Sequence, residues 1–398
     1  MSRAVGSSSL PHVRGVKRPS ARSRKASARG SRLSAKWMPL AKLAADPAAW
    51  RDLAARAVEP NVFLEPEFAG AALAAGLGGA NVGAIVVREG TRLVGLLPGR
   101  VRGLISARPV SEFVAWTHPF APLSTPLIDR DAAAETVEAM FAYLPRLPGA
   151  PRVASFPLVS EDGPIARLLA QHAQIYRFGV HERAALMAWR SAALSASSGK
   201  LKELRRQRRR LGETGTLTHE TITDIRNADA AILDYLNVEA SGWKGRAGNA
   251  LLGDATLTRF FMQTVTALLG EGRARIDLLK LDGRSLAAAI TLLSGDRAWF
   301  WKTAYDEASA RFSPGVLLAL DLTEALSQDE RIKLVDSCAV ADHPMIDHLW
   351  GGRIAVADWL MPLAGQASFA ASIAAEQLRR AVISGAKAVR GRLSQHQA

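Results

Sequence analysis

The chain has 398 residues, of which 48% are hydrophobic and 22% charged, so it has room for two domains with tails and is not disordered throughout. Its single cysteine, Cys338, excludes an intramolecular disulfide and a cysteine-cluster metal site, and fits a reducing compartment. The net charge of +14 is local: residues 1–36 hold ten Lys/Arg and no acid, 200–210 hold seven Lys/Arg against Glu203, and the remainder carries −2, which argues against a basic, nucleic-acid-binding body.

In chain order, residues 1–36 read as a disordered basic tail without the apolar core of a secretory signal. The folded part is expected from Trp37. Pro47 to Val58 reads as a helix with Asp46 as cap. Phe68 to Val87 is the longest uncharged stretch, but its glycines and Asn81 mark a helix, a turn and a strand, not a membrane span. Gly83 to Val87 and Arg92 to Leu97 form a hairpin. Asp131 to Leu144 is a helix, Arg152 to Phe156 a strand and Pro164 to Gln174 a helix. The small residues Ser195 to Gly199 mark a domain boundary.

The second half repeats the order. Helices are expected over Gly199–Leu211, Asn227–Ala240 and Ala255–Leu269. Ala274–Leu281 and Ser285–Leu293 flank the turn Asp282-Gly283-Arg284 as a hairpin. A strand Trp299–Tyr305, a helix Pro314–Leu326 and a strand Lys333–Cys338 follow. Both halves place an acid-Gly hairpin after helices, as a duplicated α/β unit would.

The stretch Trp299 to Leu317 carries the most chemistry. Ser313-Pro314-Gly315 suits a helix start, with Ser313 as cap and Pro314 where no N–H is needed. The amides of Gly315, Val316 and Leu317, backed by the helix dipole and preceded by Arg311, would suit an anion. On simple alternation Trp299, Trp301, Thr303 and Tyr305 share one strand face, and Phe300, Lys302, Ala304 and Asp306 the other. A bulge would re-aim the strand end and splay it from its neighbour. Ser241-Gly242-Trp243-Lys244-Gly245 suits the lip of a site. The helix at 200–210 lacks acidic partners at helical spacing, so its charges call for an anionic partner. Asp336, Cys338, Asp342 and His343 match no zinc spacing, and no metal is expected.

Several segments together resemble the GNAT acyltransferases. They are Glu59–Phe68 (EPNVFLEPEF), Trp116–Phe120 (WTHPF) with Thr125–Asp129 (TPLID), Gly199–Leu211 (GKLKELRRQRRRL), Glu239–Gly245 (EASGWKG), and Lys302–Glu307 (KTAYDE) with Ser313–Gly315 (SPG). The likeness is to the CelD-like branch, associated with cellulose biosynthesis and related to tandem-GNAT Fem-type transferases. It implies an α/β fold, a mixed sheet in two GNAT-like domains of which the first is degenerate. It divides the chain into the tail 1–36, domains 37–194 and 195–363, and a helical or disordered basic tail 364–398.

The resemblance also implies acyl transfer from acyl-CoA, acetyl-CoA in the first instance, to an amine or hydroxyl of a small-molecule or saccharide acceptor. Arg311, Ser313, Gly315, Val316, Leu317 and Ala304 would hold the cofactor, the last by a backbone N–H at the oxyanion. The family's tyrosine after the fifth strand is missing. The tyrosines are Tyr143, Tyr176, Tyr235 and Tyr305, so Ser337, Cys338, His343 or water would protonate the leaving thiolate. Asp306 and His118 are the candidate bases, with Asp306 preferred and Tyr305 as acid or orienting hydroxyl. Trp243, Lys244, Lys200, Lys302 and His118 are the candidate substrate contacts. A cytoplasmic location, no stable nucleic-acid complex, and contact of the basic tails with an anionic membrane surface are expected. Two alternatives stand beside this reading: a Fem-like transferase using aminoacyl-tRNA, and a non-catalytic binding protein.

Overall fold

Strand β1 (Leu33–Pro39) pairs along its whole length with β2 (Gly83–Glu89). Strand β1 thus takes in Leu33 to Lys36, ahead of the start expected at Trp37. The structure, a computed structural model, describes residues 33–103, 109–187 and 195–395, with side chains through 385. The expected tail lies outside the described residues up to position 32. From Leu33 onward the chain forms one compact unit.

Between these strands lie α1 (Leu40–Ala44), α2 (Ala48–Ala55) and α3 (Pro66–Ala74). Pro47 holds the cap position of α2, so that helix starts one residue later than expected. The chain continues through β3 (Arg92–Arg102), β4 (Glu112–Ala115), β5 (Leu127–Ile128), α4 (Ala133–Tyr143), β6 (Val153–Ser160), α5 (Pro164–His172) and β7 (Tyr176–Met187). The second half holds α6 (Ser198–Gly212), β8 (Leu217–Ile222), α7 (Ala228–Ser241), α8 (Trp243–Arg246), α9 (Ala255–Gly270), β9 (Ala274–Leu281), β10 (Arg284–Ser294), β11 (Arg297–Tyr305), α10 (Pro314–Ser327), β12 (Leu334–Asp336), β13 (Gly352–Pro362) and α11 (Gln366–Gln395). The expected C-terminal tail is thus helical through residue 395.

The strands form one mixed sheet in the order β1-β2-β3-β4-β6-β13-β7-β12-β11-β10-β9-β8, with β5 beside β3. Each half lends its last strand to the other. β7 leaves the first half to pair with β12, while β13 returns from the second half to pair with β6. The two pair with each other at the centre. Among the described residues only β4–β6 and β11–β12 run parallel. Each parallel pair is joined by a crossover containing a helix, α4 in one half and α10 in the other, as parallel pairing requires.

Three main apolar clusters cover this sheet. One unites α2 and α3 of the first half with α7 and α9 of the second. The others pack α4 and α5, and α6 and α10, on the sheet. Edge-on aromatic contacts join the halves, with Phe63 at 5.7 Å from Trp299 and Phe68 at 5.4 Å from Trp301 between ring centroids. In the first half the chain after β4 crosses its own parallel pair. There the Ser124 hydroxyl donates to the Pro157 carbonyl, and the Asn61 amide to Thr125 O at 2.8 Å.

Candidate active site

The site begins with an irregularity in β11. Ile290 pairs with Lys302 but the next residue, Thr291, pairs with Phe300. Trp301 is the extra residue of a bulge, and it shifts the face of everything after it. The simple alternation is therefore corrected. Ala304 joins the cluster of Trp299 and Trp301, while Tyr305 turns to the α10 side. Asp306 N–H donates to Leu286 O at 2.8 Å. Because neighbouring residues of an antiparallel strand present their N–H groups to opposite sides, those of Thr303 and Tyr305, not Ala304, face the side away from β10.

That edge is open. β11 and β12 pair at Arg297↔Leu334, Ala298↔Val335 and Trp299↔Asp336, and then part. The cause lies in β7. Buried Arg183 holds buried Asp336 at 3.1 Å, and Ser337 N–H donates to Ala184 O at 3.2 Å. Asp336 also accepts from Cys338 N–H at 2.8 Å, and Cys338 sits at φ 54°, which turns the chain away. The result is a cleft of ≈ 530 Å³ between β11, residues 337–346 and the C-terminal end of α7.

Lys302 stands in this cleft. Its Nζ lies 4.5 Å from the Phe120 ring centroid and 5.7 Å from that of Trp301. It forms no hydrogen bond or ion pair among the described residues. Burial lowers its pKa to about 8, with Lys244 pushing the same way and Glu239 and Cys338 opposing. Glu239 is buried and fully engaged. It accepts from Lys244 Nζ at 2.7 Å, Tyr235 OH at 3.3 Å and Leu251 N–H at 2.9 Å. Trp243, Tyr305 and Val340 line the cleft as well-exposed apolar side chains. Trp243 N–H donates to Glu307 at 2.7 Å, and Arg246 donates to the other oxygen of that carboxylate at 2.5 Å, which fixes the lip.

The structure thus brings Trp243, Lys244, Lys302, Ala304 and Tyr305 together, with Ser337, Cys338 and His343 on the opposite wall. Burial and Asp336 hold the Cys338 thiol protonated. Other expected residues lie elsewhere. Asp306 is buried outside the cleft, its carboxylate paired with Arg284 and accepting from Ala308 N–H at 3.0 Å. His118 is caged by Phe68, Trp116, Phe120 and Phe260, and burial lowers its pKa to about 4. Lys200 lies beside Ser195 and His348, at the start of α6.

The helix start differs from expectation. Ser313 adopts a left-handed conformation and its side chain caps nothing. Its carbonyl accepts from Val316 N–H at 2.9 Å and Leu317 N–H at 3.0 Å, so those two amides are not free. Arg311 stacks on Phe312 at 4.7 Å. Gly315 is buried behind the Tyr305 ring. Sequence reasoning missed the buried state of Lys302 and the engagement of Glu239 and Glu307. The EASGWKG segment, which carries both Glu239 and Lys244, was the available signal.

The fold defines a class: a mixed α/β protein of two halves, with a parallel strand pair that splays open in the second. Residues 198–343, which span α6 to the far wall of the cleft, match the family model described as Acetyltransferase (GNAT) domain. Among solved structures, the C-terminal domain of a putative lysylphosphatidylglycerol synthetase from Agrobacterium fabrum is similar at TM-score 0.50 and 15% identity, over 83% of this chain and 95% of that one. A conserved protein of unknown function from Bacteroides thetaiotaomicron VPI-5482 is similar at TM-score 0.50 and 8% identity, over 80% and 97%. FemX has a TM-score of 0.48 and 10% identity, over 82% and 97%. No curated protein matches the chain. The match to the GNAT acetyltransferase model thus lies within the second half, and the two likenesses at TM-score 0.50 are likenesses of fold. Among the described residues, no helix is long and apolar enough to cross a membrane.

Proposed function

We propose that this chain is an acyl-CoA-dependent acyltransferase of the CelD-like branch, acting on an amine or hydroxyl of a small-molecule or saccharide acceptor. A cytoplasmic setting fits its single cysteine. The observation that carries the reading is the opening of β11 from β12 over a partly buried lysine that has no hydrogen bond or ion pair among the described residues. The open edge of β11 offers the Thr303 and Tyr305 N–H groups to a thioester carbonyl, where they can stabilise its oxyanion. Lys302, with a pKa of about 8, can take the proton that an amine or hydroxyl loses as it attacks the carbonyl carbon. The C–S bond then breaks, and the sulfur takes a proton from Lys302 or from the opposite wall. Trp243 and Tyr305 at the mouth offer flat faces to the acceptor.

The reading is tested by titrating the protein with acetyl-CoA and measuring thiol release with amine and saccharide acceptors. Saturable binding, together with acceptor-dependent release that falls in Lys302→Met, supports it. Absence of acetyl-CoA binding overturns it.

Two observations favour a second reading, a polyanionic donor such as aminoacyl-tRNA. Of the three amides expected to hold an anion, Val316 and Leu317 are bonded to Ser313 O, and Gly315 alone has no backbone partner among the described residues. In addition, α6 lies against residues 307–312 and α10, where Arg208 pairs with Asp321 at 2.6 Å. Its exposed Lys202 and Arg205 have no ion pair among the described residues. Retention of aminoacyl-tRNA without acetyl-CoA binding would select this donor.

A further inference from the structure

The first half has its own parallel strand pair, and it too opens at its carboxyl end. β4 and β6 pair through Val114↔Ser155 and then part. Ligands of α/β sheets bind in the crevice beyond the carboxyl ends of parallel strands. Here the crevice is crossed by the chain carrying Ser124. What remains is a cavity of ≈ 400 Å³ whose walls include Trp116, Thr117, Ser155 and Phe178, with α11 as its cover. It shares no lining residue with the cleft at Lys302.

Among the described residues that line this cavity, four arginines face three carboxylates. Arg379 is held by Glu376 at 2.7 Å, and Arg380 by Asp358 at 2.6 Å. Arg102 and Glu112 stand opposite each other in the β3–β4 register. Arg100 is left without a hydrogen bond or ion pair among the described residues. Its guanidinium lies against the turn at Gly79. A Cβ on Gly79 would fall against the Arg100 guanidinium, and one on Gly78 against the Trp116 indole. Both glycines have positive φ, 78° and 98°, so the turn lets the cation and the ring lie on bare backbone. Trp116 is anchored further by its indole N–H, which donates to Leu77 O at 3.2 Å.

We propose that this cavity binds a small carboxylate with a flat apolar body. Arg100 pairs with the carboxylate, and Trp116 and Phe178 enclose the body. The guanidinium of Arg100 matches a carboxylate in charge and in geometry. The volume lies in the range of small-molecule pockets.

Calorimetry with benzoate, its neutral analogue benzamide and inorganic phosphate tests the assignment on the full chain. Benzoate should bind the wild type and Lys302→Met alike, and Arg100→Gln about tenfold or more weakly, the loss expected for a charge-assisted pair. Arg100→Lys, which keeps the charge, should recover part of the affinity. Benzamide should bind as weakly as benzoate does to Arg100→Gln. The indole N–H resonance of Trp116, assigned with Trp116→Phe, should shift on adding benzoate to the wild type, a readout that needs no Arg100 variant to fold. Equal benzoate affinity in Arg100→Gln, loss of binding in Lys302→Met, or phosphate binding tighter than benzoate would each overturn the proposal. So would an unmoved Trp116 resonance at millimolar benzoate.

Discussion

The Nζ of Lys302 lies 4.5 Å from the centroid of the Phe120 ring, across the boundary between the two halves. Phe120 is held in place by its own backbone, since its carbonyl accepts from the Trp301 indole at 2.9 Å. The first half therefore supplies the surface that keeps water from the lysine of the second. This is a physical reason for the two halves to stay packed together.

Lys302→Met should lower the rate at saturating donor by ~10²-fold or more, with donor affinity little changed, as for loss of a general base. The active form is the neutral amine. The rate should therefore rise with pH and level off above about 8. Phe120→Ala should admit water and raise the lysine's pKa toward its ordinary value, because burial is the larger influence on it. The rising limb should then move to higher pH. A limb that stays in place in Phe120→Ala would remove Lys302 from the proton transfer.

Asp306→Ala should leave turnover nearly unchanged and lower stability by about 1–2 kcal/mol. The carboxylate accepts from Ala308 N–H, and such caps contribute roughly this much. Its partner Arg284 is mostly exposed, so that ion pair adds little. Urea unfolding reads the stability and thiol release the turnover. A rate loss matching that of Lys302→Met would return the base to Asp306.

His118 gives the fold an acid sensitivity. Its pKa is about 4 when folded against 6.5 ordinarily, because burial disfavours the imidazolium. Between these values the unfolded chain binds more protons than the folded one. Stability should therefore rise with pH across about 4 to 6.5, and fall as pH drops through that window. The full effect is up to about 3 kcal/mol at the rate of 1.36 per pKa unit. His118→Phe keeps the aromatic packing with Phe68 and should flatten this part of the profile without abolishing turnover. An unchanged slope would mean that other groups set it.

Local chemistry made much of the second half legible. The hairpin of β9 and β10 follows from its turn, where Asp282 and Gly283 take φ of 50° and 81°. The helix at α10 and the strand before it follow from Pro314 and from the aromatic run. What escaped depends on pairing between distant segments. The exchange of β7 and β13 leaves no mark in either strand, and β8, a mostly exposed edge strand, has no alternating apolar face to show in its sequence. The bulge at Trp301 is a matter of register with β10 and has no composition of its own. A lysine in a strand ordinarily reads as surface. Lys302 is shielded in part by Phe120, 182 positions earlier, which reaches it from the other half.

Gly315 gives the final test, because it joins the helix start to the cleft through one contact. A Cβ there would sit 3.3 Å from Tyr305 Cδ1 and 3.5 Å from its Cβ. Alanine needs only a small shift of a ring that is 42% exposed and free to move. Valine adds methyl groups directed at the same ring and should push it into the cleft mouth. Gly315→Ala should therefore keep acetyl-CoA affinity within a few-fold of wild type. Gly315→Val should weaken it by about tenfold or more, while far-ultraviolet circular dichroism is unchanged. Tyr305→Ala should restore affinity in the Gly315→Val background, since the ring that valine displaces is gone, and the cycle of four proteins isolates that coupling. If Gly315→Val weakens binding equally with and without Tyr305, the glycine acts on the donor directly, through space that its own backbone leaves open at the start of α10.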